Sequence, residues 1–207
     1  MDSVYVPILL GSVRIGRRSG AVAAYILARL AKDPRFKSEL LDLADYHFEI
    51  LEQRPSEMDE PPHELEAFSA KLRDADALLV VSPEYKAGIP GGLKNAFDLL
   101  EPGILRRKPV GICTVSAGGF GGLQCSLQLR STIFALGGVP IPETILVSRV
   151  QEYFDEEGNC GNQAKVVEMG RFLDELHFYA DSLKRGRQRD LAQDRFDRPA
   201  SASVLAR

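Results

Sequence analysis

Short unbroken apolar runs alternate along this chain with stretches in which apolar residues return every three or four positions. Val4 to Leu10 is the first run, closed by Gly11-Ser12, and predicts a buried strand. From Ala21 to Lys32, Val22, Ile26 and Leu30 fall on one side of a helix. Phe36 to Leu43 predicts a second strand, and Glu49 to Pro62, with its acids and three prolines, a surface loop. Pro61 and Pro62 suit the opening of a helix whose apolar stripe is Leu65, Phe68, Leu72 and Ala75. Asp76 to Ser82 is the clearest strand, turned at Pro83 and followed by a helix over Gly92 to Leu100. Pro109 to Val115 and Val139 to Val147 predict two further strands, with a helix over Leu123 to Leu136 between them. A last amphipathic helix spans Gln163 to Leu183, with Val166, Met169, Phe172, Leu176 and Ala180 on one face.

Five strands alternating with helices predict an α/β fold, a parallel sheet covered on both faces. Continuously apolar strands agree, because a parallel strand is buried on both sides. The 207 residues suffice for one domain, expected over residues 1–184. The remainder, 185–207, is basic, poor in apolar residues and expected to be a flexible tail. A formal net charge of −3 gives no reason to expect a nucleic-acid partner. Cys113, Cys125 and Cys160 are scattered, with no C-x-x-C pair, so no zinc or dithiol motif is suggested and a reducing compartment fits. The N-terminal residues do not read as a signal peptide, and no segment approaches a membrane span, so a cytoplasmic location without a membrane partner is expected. His47, His63 and His177 lack metal-ligand spacing, and no metal is expected.

Chemistry is expected where strand ends meet unusual loops. Ligands of open α/β sheets sit beyond the carboxyl ends of the strands, where strand order reverses. Gly11 to Gly20 follows the first strand and opens a helix, so its backbone N–H groups and the helix dipole favour a phosphate. Ser12 and Ser19 add hydroxyls there, and Arg14 and Arg17 add forked positive charge. The spacing approaches a P-loop but puts Arg17 at the lysine and Arg18 at the magnesium-binding Ser or Thr, against a nucleotide triphosphatase. Ser82 to Asn95 follows the third strand; its prolines stiffen the loop and its glycines admit a ligand close to the backbone. Ser116 to Gly122 follows the fourth strand with four glycines. No G-x-G-x-x-G follows any strand, so a separate dinucleotide site is not supported.

G-S-x-R-x-G-R over Gly11 to Arg17, with S-P-E-Y-x-x-x-x-P-G-x-L-K-N over Ser82 to Asn95, resembles the NAD(P)H-dependent FMN reductase family, relatives of which reduce quinones, chromate and azo dyes. The resemblance covers roughly residues 4–182. It implies a flavodoxin-like fold in strand order 2-1-3-4-5, non-covalent FMN, and a homodimer or homotetramer. It implies hydride transfer from NAD(P)H as co-substrate, through FMN, to a small-molecule acceptor such as a quinone, flavin, azo dye or chromate. By that likeness Ser12, Arg14, Arg17, Ser19 and Gly20 surround the FMN phosphate. Pro83, Glu84, Tyr85, Lys86 and Gly88 border the isoalloxazine, and Ser116, Gly118, Gly119 and Gly121 line its other polar edge. The flavin carries the redox chemistry, so no catalytic acid or nucleophile is expected. Lys86 departs from the asparagine usual in the family. The alternatives are a flavodoxin-type electron carrier, against which the arginines of the first loop speak, and a flavin-binding scaffold with little turnover.

Overall fold

The computed structural model describes residues 3–155 and 157–192. The chain forms β1 (Val4–Tyr5), β2 (Ile8–Leu10), α1 (Ser19–Leu30), β3 (Phe36–Lys37), β4 (Leu40–Asp42), α2 (His63–Asp74) and β5 (Leu78–Pro83). It continues through α3 (Gly91–Asp98), β6 (Pro109–Val115), α4 (Leu123–Ala135), β7 (Val139–Val147), α5 (Val150–Tyr153) and α6 (Gln163–Ala192). The main sheet is parallel, in the order β4-β2-β5-β6-β7. β1 pairs with β3 just below β2 and β4. The first expected strand is thus divided at Val6-Pro7, the second at Ser38-Glu39, and the merged order is the expected 2-1-3-4-5.

Side-chain alternation splits the core into two layers. Ile8, Leu10, Leu79 and Val81 face α1 and α6, meeting Val22, Ile26, Phe172 and Leu176. Leu9, Leu78 and Val80 face the other way, toward Phe68 of α2, Leu93 and Phe97 of α3, and Leu129 and Ile133 of α4. Apart from the half-buried Val166, the helix-stripe residues read from the sequence are buried. Cys113 and Cys125 are core residues, and burial raises their thiol pKa values to about 12 and about 11.

Two boundaries differ from expectation. α5 was not foreseen, because four residues carry no periodicity. α6 runs to Ala192, past the expected end at Leu183. The reason is electrostatic. Asp76, just before β5, accepts from the Tyr5 N–H at 2.9 Å and from Lys184 at 2.8 Å, and pairs with Arg187. Arg187 also donates to the Arg107 carbonyl at 2.8 Å, and Arg107 pairs with Asp190. The expected tail therefore begins as helix held against the amino ends of the strands, and residues 193–207 lie outside the described residues.

Beside this network the buried Lys108 donates to the carbonyls of Leu72, at 2.7 Å, and Arg73, closing the end of α2. Burial, then the charge of Arg187, lowers its pKa to about 8. In the unfolded chain the group titrates near 10.4. Between these values the unfolded state holds a proton that the folded state lacks, so stability rises with pH across that window. Urea unfolding of the wild type and Lys108→Met is expected to show the wild type gaining on the variant from pH 8 to pH 10. A constant difference would remove the linkage from Lys108.

Candidate active site

Three loops leave neighbouring strands at one end of the sheet. The first connects β2 to α1. Gly11 closes β2 with its N–H on the Val81 carbonyl at 2.9 Å. A Cβ there would lie 2.5 Å from Leu93, so only glycine lets this strand end pass under α3. Ser12 is buried; its hydroxyl accepts the Arg14 N–H at 3.3 Å and bonds the Tyr85 hydroxyl at 2.7 Å. Arg14 folds over the Tyr85 ring, with its Nε donating to the same hydroxyl at 3.2 Å. Tyr85 thereby ties the first loop to the second.

The start of α1 is left open to an anion. Its N-cap residue, Arg18, makes no side-chain cap, and the first turn contains no acid. No described residue accepts from the N–H groups of Arg18, Ser19 or Gly20. The Ser19 hydroxyl is buried and has no hydrogen-bond partner among the described residues. A buried polar atom without a partner is costly, and a phosphate at this helix end would satisfy it together with the free amides. Arg17 is placed otherwise than its neighbours: it pairs with Asp42 at the end of β4, bracing the loop against the sheet edge.

The second loop follows β5. Glu84 turns inward, its carboxylate accepting the Cys125 N–H at 3.0 Å in the first turn of α4. That is a helix cap, a role that sequence motifs did not distinguish from a ligand contact. Tyr85 and Gly88 exchange two backbone hydrogen bonds of 3.1 Å around Lys86 and Ala87, which sit at φ 50° and 60°. Both central residues are left-handed, as in a type I′ turn, for which Asn-Gly is the favoured pair. Each non-glycine residue held there costs roughly 1–2 kcal/mol. The turn is clamped by Gln128 of α4, whose side chain accepts the Ile89 N–H at 3.2 Å and donates to the Ala87 carbonyl at 3.0 Å. Gln128 was not singled out from the sequence, since it lies about forty residues from the turn it holds. Asn95, at the end of the motif, bonds the 49–51 segment instead, donating to the Glu49 carbonyl and accepting the Leu51 N–H, each at 2.9 Å.

The third loop follows β6. Gly121 and Gly122 take positive φ values of 63° and 82°, and a Cβ on Gly121 would lie 2.7 Å from Leu146. Gly118 and Gly119 are exposed, with open space where a Cβ would be and N–H groups that meet no described acceptor. The Gly118 carbonyl is bound by the Ser116 hydroxyl and by the Arg149 N–H, each at 3.0 Å. Phe120, between the two glycine pairs, is 83% exposed. Among the described residues no cluster of three His, Cys, Asp or Glu side chains can hold a metal ion, and no helix is long and apolar enough to cross a membrane.

The sequence profile of the family described as NADPH-dependent FMN reductase matches residues 4–152. The chain is 35% identical over 142 residues to the quinone reductase of Escherichia coli (strain K12), covering 65% of this chain and 72% of that protein. It is 31% identical over 164 residues to an NAD(P)H-dependent FMN reductase of Pseudomonas aeruginosa, covering 76% and 84%. Among solved structures, a flavoenzyme NAD(P)H:(acceptor) oxidoreductase from Paracoccus denitrificans superposes with a TM-score of 0.73 at 20% identity, covering 86% of this chain and 98% of that one.

Because Glu84 caps α4, Glu84→Ala is expected to lower unfolding stability by about 1 kcal/mol, and Glu84→Gln by less, since the amide oxygen keeps the hydrogen bond. Denaturant titration checks this; equal losses would assign the effect to the charge alone.

Proposed function

This chain belongs to the NADPH-dependent FMN reductase family, and on that footing we propose that FMN lies across the loops after β2, β5 and β6 and serves the reduction of a quinone or azo acceptor. The chain is an FMN-dependent oxidoreductase that takes its electrons from NAD(P)H. When bound, FMN supplies the redox chemistry, accepting reducing equivalents from the nicotinamide and yielding them to the acceptor.

The observation that carries the placement is the buried, unpartnered Ser19 hydroxyl beside three free amides at the start of α1. In this reading the phosphate rests there, against Ser19 and Gly20, with Arg14 swinging from Tyr85 to meet it. Ser12 and Arg17 hold the loop in shape, through Tyr85 and Asp42. The backbone from Pro83 to Gly88 and the free amides of Gly118 and Gly119 face the ring, with Ser116 and Gly121 fixing the glycine loop. Donors aimed at the ring edge favour the charge that develops there on reduction. None of these groups transfers a proton in this scheme. A cytoplasmic location is part of the same reading, supported by free cysteines at 113, 125 and 160.

A second copy of this chain completes the site. Leu123, Leu127 and Phe134 follow one side of α4 at helical spacing and are 41, 52 and 64% exposed, and Phe120, 83% exposed, stands in the glycine loop just before the helix. An apolar stripe of this size on a soluble enzyme marks an association surface. It starts at the glycine loop, so a partner docked there would wall the open side of the ring.

Two measurements test these assignments. Ser19→Ala and Arg14→Ala are expected to weaken FMN binding by roughly one to two decades, the worth of a charge-assisted contact, and to leave riboflavin binding nearly unchanged. Fluorescence titration with both ligands decides; equal losses would remove the phosphate from this helix end. For the second copy, Leu127→Asp is expected to shift the protein toward monomer in sedimentation and to lower FMN affinity and specific activity together. A fully active wild-type monomer would end the proposal. Bleaching of bound FMN by NADPH separates an enzyme from an electron carrier.

A further inference from the structure

Two cations beside the site are held in backbone conformations that disfavour them. Lys86 sits at φ 50° in the turn after β5, and Arg149 at φ 43° just after β7. Both are exposed, and neither forms an ion pair with a described residue. Arg14 and Arg18 on the first loop are likewise without an acid partner. The nearest acid in sequence to Lys86, Glu84, is turned away onto the Cys125 amide, and Asp42 is taken by Arg17. A chain of net charge −3 thus presents, among its described residues, exposed positive charge without acid partners on the loops at the carboxyl ends of the strands.

The backbone on both sides is fixed. Gln128 and the Tyr85–Gly88 bonds hold the turn that carries Lys86. Arg149 is held by its N–H on the Gly118 carbonyl and by its carbonyl, which accepts the Glu152 N–H at 2.8 Å. β5 and β7 flank β6, so two sheet spacings set the strand ends about 10 Å apart, with the glycine loop between them. Glycine or asparagine suits a left-handed position better than either residue. Cations held at strained positions, on rigid backbone and without an acid partner among the described residues, point to an outside anion.

We propose that Lys86 and Arg149 form a two-sided recognition device for a phosphate or sulfonate carried by the molecule that approaches the ring, making the enzyme selective for anionic substrates. The proposal rests on the placement of the flavin ring over the β5 and β6 loops. Two sources offer this chemistry: the 2′-phosphate that distinguishes NADPH from NADH, and an acid group on the acceptor. Each cation meets the anion in an exposed setting, so its removal is expected to change selectivity by about three- to tenfold.

The test compares wild type with Lys86→Gln, Arg149→Gln, their double variant and Lys86→Arg. Lys94→Gln removes an exposed charge paired with Asp98 on α3 and serves as control. Calorimetric titration gives the affinity ratio of NADP+ to NAD+, and that of naphthoquinone-2-sulfonate to naphthoquinone, at low salt. Ratios of kcat/KM for the same pairs follow. Each Gln variant is expected to lower one ratio about three- to tenfold and the double variant to lower it further. Lys86→Arg and Lys94→Gln are expected to keep it. A fall in the nucleotide ratio identifies the donor's phosphate; a fall in the quinone ratio identifies the acceptor's acid. Both ratios staying within twofold in the double variant, or wild type binding no anionic partner more tightly than its neutral one, overturns the proposal. Absence of FMN binding by the wild type would instead overturn the placement of the flavin on which the proposal rests, and flavin titration reads it separately from the affinity ratios.

Discussion

The parallel pairing of β5 with β6 is the constraint on which the site depends. Six residues of each strand run in register, from Leu78 opposite Val110 to Pro83 opposite Val115. Both strands therefore end at the same height, and the Glu84 N–H extends the ladder onto the Val115 carbonyl at 3.1 Å. Two loops of unrelated sequence must leave side by side. β2, on the far flank of β5, ends at Leu10, opposite Val81 and two residues short of the end of β5, and its Gly11 loop adds the third. Burial of these strands on both faces makes the register costly to change, since a slip would move their apolar residues between the two core layers. The scaffold is thus rigid where it carries loops whose own amides are unsatisfied.

Much of this was legible because parallel strands and helix stripes write strong patterns. β6 and β7 begin and end at the expected residues, and every stripe residue of α2 is buried. The glycine and proline loops stood at strand ends in both readings. What escaped was interaction across long separations. Nothing local says that Asp76 will hold the Arg187 side chain, 111 residues away, and so prolong α6. Nothing local says that Glu84 caps α4 or that Gln128 clamps the turn after β5. The pairing of Arg17 with Asp42 has the same origin: a side chain's partner is decided by the sheet order, which sets β4 beside β2.

The three loops divide two tasks. Some side chains hold the backbone: Ser12 and Tyr85 link the first two loops, Glu84 and Gln128 fix the second to α4, and Arg149's amide supports the third. The groups left over are amides, one buried hydroxyl and several unpaired cations. A site made mostly of backbone donors needs its shape guaranteed from outside, and Ser12, Glu84 and Asn95 of the motifs are spent on bonds within the protein. It also explains why a family signature does not by itself say which of its members touch the flavin.

Gln128 occupies an unusual position in this arrangement. It bonds the turn after β5 from the same helix that presents Leu127 and Phe134 to solvent, one residue from Leu127 in the chain. Whatever restrains α4 from the outside therefore restrains the turn within, and the reverse holds with equal force. Binding free energies transmitted through a shared element are reciprocal. Were a second copy to bind the outer face of α4 and flavin the turn, as proposed above, each would change the affinity for the other by the same factor. With positive coupling, cofactor loading and subunit assembly would become a single cooperative equilibrium, in which chain and flavin accumulating together drive each other's binding.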